Sequence, residues 1–210
     1  MLNLIRKDFI VMRSSLGLIP LYFVIFSIVL ISNTMSAYFL VAVYTAFTTL
    51  MMSTGADVKN DNHAFLITMP MNRAQMVKSK YATALLYTGV AAIACYIFYT
   101  IVRYVKPSLG MPAYSMGQFL ASIGISLVLV SIYLPLFYWL SKKGMAIINM
   151  AFMIILIGLT PFMNIGTYLM HKQNVGSINN ASVALIGLGV VLLFIASYFF
   201  AKYLFNRKDL

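Results

Sequence analysis

Asp61–Tyr81 reads DNHAFLITMPMNRAQMVKSKY, the longest polar-rich passage in an otherwise apolar chain. Counted from Asp57 to Lys80, it gathers two acids, a histidine and four basic residues. The rest of the 210 residues make the chain 62% hydrophobic and only 9% charged. The mean hydropathy of +0.91 lies far outside the composition of water-soluble domains. The stretch is therefore read as one sizeable structured segment on a single side of a bilayer. The fold turns on how many crossings flank it and on which side it lies.

Working outward, six apolar stretches can be delimited: Leu16–Ile31, Met35–Met52, Tyr81–Val102, Gly117–Leu140, Met145–Leu169 and Ser182–Phe205. Each approaches the roughly 20 residues that cross a hydrocarbon core of about 30 Å. Residues 16–52 carry no charge. As one helix they would span roughly 54 Å, so Ser32, Asn33 and Thr34 are expected to turn a hairpin. Six spans leave little for a soluble domain, and residues 1–210 read as one all-α transmembrane domain.

Lysine and arginine favour the cytoplasmic ends of spans. With six crossings, twelve of the fifteen fall on the side that carries both termini and Asp57–Lys80. This predicts a multi-pass protein of the cell membrane with both ends in the cytoplasm. The excess charge of +11 is thereby assigned to topology and anionic lipid headgroups rather than to nucleic acid. At the N-terminus, Leu2, Ile5, Phe9 and Met12 follow helical spacing, while Asn3, Arg6, Lys7 and Arg13 gather on another side. Residues 1–14 are expected to form an amphipathic helix lying in the headgroup plane, or else a plain extension of the first span. No clear cleavage site follows, so a signal peptide is not favoured.

Inside the opening segment, Pro70 interrupts the helical pattern and Asn72 follows as a good N-cap. Gln75, three residues on, is positioned to complete a capping box, with Met71 and Met76 at the staple positions. A helix is predicted to start near Arg73 and continue into the third span. Before Pro70, a short interfacial helix capped by Asp61 is expected to end at Thr68 or Met69, since residues preceding proline avoid helical angles. Two helices meeting at a corner is one reading; a loop whose basic residues bind lipid phosphates is the other.

Chemistry is poorly provided for. Four aspartates and no glutamate are the only acids, and no Gly-Lys dipeptide exists from which to build a nucleotide-cradling loop. His63 and His171 fall in loops on opposite predicted sides, out of reach of a shared metal or a serine triad. Cys95, the only cysteine, sits in an apolar run and reads as a small buried hydrophobe. No ionisable residue lies mid-span, which disfavours ion-driven carriers and channels. Of the polar groups inside spans, Asn149, Thr160 and Asn164 fall near one face of the fifth. They either line a substrate path or hydrogen-bond neighbouring helices as packing glue. Pro161 and Pro135 are expected to bend their helices.

With those residues in view, the chain resembles the permease subunits of ABC-2-type ATP-binding-cassette transporters. The resemblance is carried by LIRKDF (Leu4–Phe9), a two-span hairpin, and an acidic loop running into FLITMPMNRAQMVKSKY (Phe65–Tyr81). The family pattern is an acid, a leucine-rich turn, LPxSR, and a basic helix entering the third span at KY. Met69 stands where leucine is usual, and Asn72 where serine is usual, one N-capping residue for another. The resemblance implies that residues 1–14 are an elbow helix and that residues 57–70 carry a coupling helix docking on a cytosolic ATPase. Phe65 and Leu66 would be apolar anchors, Pro70 the corner, and Asp57, Asp61 and Arg73 polar contacts. It also implies two ATPase subunits holding ATP and Mg²⁺, a second permease chain, and no cofactor or enzymatic activity in this one. Within the family, the compact size and short outer loops look most like Gram-positive exporters of amphipathic or antimicrobial peptides, including phenol-soluble modulin exporters. The rival from another class is a non-transporting scaffold or immunity-type protein that binds a cytosolic partner.

Overall fold

The computed structural model describes residues 2–11, 17–33, 38–60, 72–105, 114–140, 142–172 and 180–207. Among them are seven helices and no strand: α1 (Leu2–Val11), α2 (Leu18–Asn33), α3 (Tyr38–Lys59), α4 (Arg73–Val105), α5 (Met116–Trp139), α6 (Lys142–Lys172) and α7 (Asn180–Asn206). Five, α3 to α7, are long and apolar enough to cross a membrane. The sixth expected span, α2, has 16 residues. At 1.5 Å per residue it reaches about 24 Å, short of a hydrocarbon core of about 30 Å.

α3 is the central post, touching α1, α2, α4, α5 and α6. Every residue from 40 to 51 is buried, although Tyr44, Thr45, Thr48 and Thr49 are polar. The threonines are tolerated because each hydroxyl bonds back along its own helix. Thr45 donates to the Val41 carbonyl at 2.8 Å, Thr49 to Thr45 at 2.7 Å, and Thr48 to Tyr44. Around this post the other helices turn apolar side chains outward. Val90, Ile154, Leu185 and Phe199 are all more than half exposed, the pattern of a surface solvated by lipid.

Two predicted helix starts are resolved in detail. At α4, the Asn72 side chain accepts the Ala74 N–H at 3.0 Å and its carbonyl accepts that of Gln75 at 2.8 Å, so Asn72 caps as expected. A reciprocal capping box is seen at α5. There Gln118 N–H donates to Ser115 Oγ at 3.2 Å and Ser115 N–H to Gln118 Oε1 at 3.0 Å. Pro135 and Pro161 lie inside α5 and α6 without ending them. The predicted interfacial helix over Asp61–Met69 falls outside the described residues.

The helices overrun the apolar spans on the side carrying Asp57. α3 continues seven residues past Met52 to Lys59, and α4 begins eight residues before Tyr81. Asp57, expected at the start of a loop, belongs to the last turn of α3. The ion pairs described next supply the reason the helix persists there.

Candidate functional site: a buried ion-pair clasp

On α1, Leu4 and Asp8 stand one turn apart on one face, and both are buried, at 5% and 3% exposure. Phe9, on the face expected from apolar spacing, is 38% exposed and Ile10 59%. The helix turns a carboxylate inward because two lysines meet it. On α3, Ser53 and Asp57 are likewise one turn apart, and on α4 Lys80 and Thr83 share a face; all are buried.

These side chains converge. Lys80 Nζ donates to Asp57 Oδ2 at 2.5 Å and to Ser53 Oγ at 2.9 Å, and lies 3.4 Å from Asp8 Oδ1. Two hydrogen bonds and one further ion pair thus surround the ammonium. Lys7 Nζ reaches Asp57 Oδ1 at 2.9 Å and Asp8 Oδ1 at 3.2 Å. Thr83 Oγ1 donates to Asp8 Oδ2 at 3.1 Å. Two cations and two anions alternate, so the cluster is neutral, and each charge has at least two partners. That is the arrangement in which burial of charge is tolerated. Phe9 closes one flank, its ring edge-on to Tyr87 at 5.6 Å.

Burial works against the charge on Lys7, but Asp57 and Asp8 outweigh it and hold the ammonium above the ordinary lysine value of 10.5. A raised lysine pKa contributes stability that is complete below 10.5 and is lost only as pH climbs through the raised value. Lys7 therefore keeps its charge, and its place in the clasp, throughout the neutral range.

α4 is secured to the far side of the bundle at the same end. Tyr81 OH shares a hydrogen bond with Ser197 Oγ at 2.7 Å, and Ser197 passes it to the Ser131 carbonyl at 2.6 Å, joining α4, α7 and α5. Arg73 Nη1 reaches the Phe205 and Asn206 carbonyls at 3.4 Å each, with its guanidinium 5.9 Å from the Phe205 ring. It thereby caps the C-terminal end of α7, where the helix dipole favours a cation.

Of the residues expected to contact a partner, Asp57 and Arg73 are thus engaged within the chain. Asp61, Phe65, Leu66 and Pro70 lie outside the described residues. The polar residues of the fifth predicted span go to separate partners. Asn149 Oδ1 accepts the Tyr133 hydroxyl at 3.0 Å, and Tyr133 OH shares a second bond with Thr54 Oγ1 at 2.6 Å. Thr160 Oγ1 bonds Tyr44 OH at 2.5 Å. The side chain of Asn164 lies outside the described set. Asn149 also borders an open cleft of about 530 Å³ between α2 and α6, floored by α3 and lined by Tyr22, Thr48, Met51, Met52, Met150 and Met153 among others. Sequence reasoning missed Lys7, Asp8 and Lys80 as a unit. The available signal was that two of only four acids occupy helical positions beside lysines at the same membrane edge.

Among the described residues, no group of three His, Cys, Asp or Glu side chains is placed to hold a metal. A closed, neutral ion-pair cluster is suited to carrying force between helices. Fold and cluster together define a multi-pass helical membrane protein with a closed ion-pair cluster at one end. The chain belongs to the ABC-2 transporter family: a family model described as "ABC-2 family transporter protein" matches residues 3–206. It is thus the transmembrane component of an ABC transport system, a family that works with an ABC ATPase. Comparison with curated proteins and with solved structures finds no significant match.

Proposed function

We propose that the chain is the permease subunit of an ATP-driven exporter of amphipathic peptides, paired with a second permease chain and two ATPase subunits that bind ATP and Mg²⁺. α2 completes six spans, both termini are cytoplasmic, α1 is the elbow helix, and residues 57–70 are the coupling segment. Orientation is supported by the bias of lysine and arginine toward that side.

The observation that carries this reading is the clasp. Asp57 opens the coupling segment, Lys80 follows it, and Lys7 and Asp8 tie α1 to both. A push on the segment would then move α1, α3 and α4 as one body, which suits a transporter alternating between two packings. Asp57 and Arg73 act as internal anchors beneath the segment, and Asp61, Phe65, Leu66 and Pro70 form the docking surface. The methionine-lined cleft favours an apolar or amphipathic cargo, since thioethers repack around varied shapes.

Purification from native membranes tests the proposal. An ATPase with a nucleotide-cradling motif is expected to co-purify in equal amount. Phe65→Ala with Leu66→Ala should leave the protein at wild-type level in the membrane yet lower stimulation of that ATPase at least about ten-fold, as for a hot spot of about 2 kcal/mol. Wild-type stimulation by the double variant would remove the coupling assignment. Consistent absence of any ATPase would favour the scaffold or immunity-type reading.

A further inference from the structure

The clasp spends both aspartates of the described residues, Asp8 and Asp57, on Lys7 and Lys80. Other cations at the same edge are left without a carboxylate. Arg73 is occupied by the α7 carbonyls, and Arg207 lies over the Tyr203 ring of its own helix at 4.6 Å. Lys78 on α4 is exposed and Lys202 on α7 half-buried, and among the described residues no ion pair reaches either.

Contacts between α4 and α7 place these two lysines on one seam. Arg73 meets Phe205 and Asn206, and about two turns further along α4 Tyr81 meets Ser197 and the rings of Phe194 and Tyr198, at 5.2 and 5.5 Å. The helices are therefore antiparallel. Midway between those contacts, Val77 on α4 stands level with Ala201 on α7, and both are fully buried. Lys78 and Lys202 each follow that pair by one residue. One residue turns a helix by about 100°, and in an antiparallel pair the two turns lead to the same side of the seam. Both lysines thus sit at one depth on one rim, away from α5, to which Ser197 passes its bond on the other flank.

Deeper on the same faces the surface changes character. At i+7 from Lys78 comes Leu85, and at i−7 and i−11 from Lys202 come Ile195 and Val191. Each is about half exposed. Seven residues rise about 10 Å, so a cationic pair at the membrane edge stands over an apolar track. That order of charge above hydrocarbon is the order within a phospholipid, and basic pockets between transmembrane helices suit anionic headgroups.

We infer that this rim is a binding site for one anionic phospholipid of the clasp-side leaflet. Lys78 and Lys202 hold its phosphate from two helices, and an acyl chain lies along Leu85, Ile195 and Val191. Arg6 and Lys59 are exposed at the same edge, but they lie on α1 and α3 and share no such track. The site is independent of the permease reading.

The test uses the full-length chain reconstituted in vesicles of equal phosphatidylglycerol and phosphatidylcholine with matched acyl chains. After mild extraction, native mass spectrometry counts the lipid retained on each molecule. Phosphatidylglycerol is expected to be favoured about 25-fold, corresponding to about 1 kcal/mol for each lysine. Lys78→Gln or Lys202→Gln should cut the preference about five-fold and the pair should abolish it, whereas arginine at both positions should keep it.

No preference in the unaltered chain, or an undiminished one in the double glutamine variant, would overturn the proposal. So would an equal loss from Arg6→Gln with Lys59→Gln, which would mean diffuse attraction to the whole edge. Release of the bound lipid by millimolar inorganic phosphate would also overturn it, because the rim would then be a site for free anions. Thermal midpoints identify any variant that has unfolded, and Lys78→Gln, a change at an exposed position, then decides.

Discussion

Asp57→Ala is expected to destabilise the protein by about 3–5 kcal/mol, the penalty for leaving a buried charge without its partner. Lys80 is 4% exposed and would keep only Ser53 at 2.9 Å and the more distant Asp8 at 3.4 Å. Lys7 would lose its closest acceptor too, but its side chain is 26% exposed and can turn to water. The informative control is Asp57→Ala with Lys80→Met. It removes one charge of each sign, and Lys7 with Asp8 remains a neutral pair. If the loss arises from uncompensated charge, the double variant recovers most of the unfolding midpoint measured for the detergent-solubilised protein. If it is no more stable than Asp57→Ala, the clasp is not an electrostatic unit. Lys7→Met should cost less than either buried single change, because its ammonium is already partly solvated.

The second large effect is expected at Tyr133, whose side chain is fully buried at 0% exposure. Its ring stands edge-on to Phe47 and to Phe152, at 5.2 Å from each. Tyr133→Ala removes the aromatic body from the junction of α3, α5 and α6 and is expected to cost about 3–5 kcal/mol through the cavity left behind. Tyr133→Phe keeps the ring and deletes only the hydroxyl between Thr54 and Asn149. Thr54 retains its back-bonds to Leu50 and Met51, so this change should cost about 1 kcal/mol. A thermal shift series in detergent separates the two. Equal losses for the Phe and Ala variants would mean that the hydroxyl network, not the packing, holds this junction.

The helices were legible in the sequence because their causes are local. Apolar runs, the Asn72 cap and the absence of charge over residues 16–52 each act within a few positions, and the structure matches them, including the start of α4 at Arg73, apart from the overrun of α3 and the shortness of α2. Resemblance to the ABC-2 family was legible for the same reason, since LIRKDF and the basic helix ending in Lys80-Tyr81 are short strings. The pairing of Asp8 with Lys80 was not. Apolar spacing along the helix gave Asp8 no place, because the lysine that meets its carboxylate lies 72 positions later. Asn149 and Thr160 share a helix face by spacing, yet they sit 11 residues, or about 16 Å, apart. Which helix covers each of them depends on packing that no local rule contains.

By itself, the amino-acid order determined that this protein lives in lipid, crosses it as helices, and gathers its polar chemistry toward one edge. Those outcomes follow from transfer free energies and backbone hydrogen bonding, which act residue by residue. Only the tertiary structure decided that Lys7, Asp8, Asp57 and Lys80 form one neutral cluster, and that Tyr44 grips α6 beside Pro161. Charges and hydroxyls in a dry interior must find partners wherever the fold brings them, so their pairing is a property of the packed bundle and not of any segment in it.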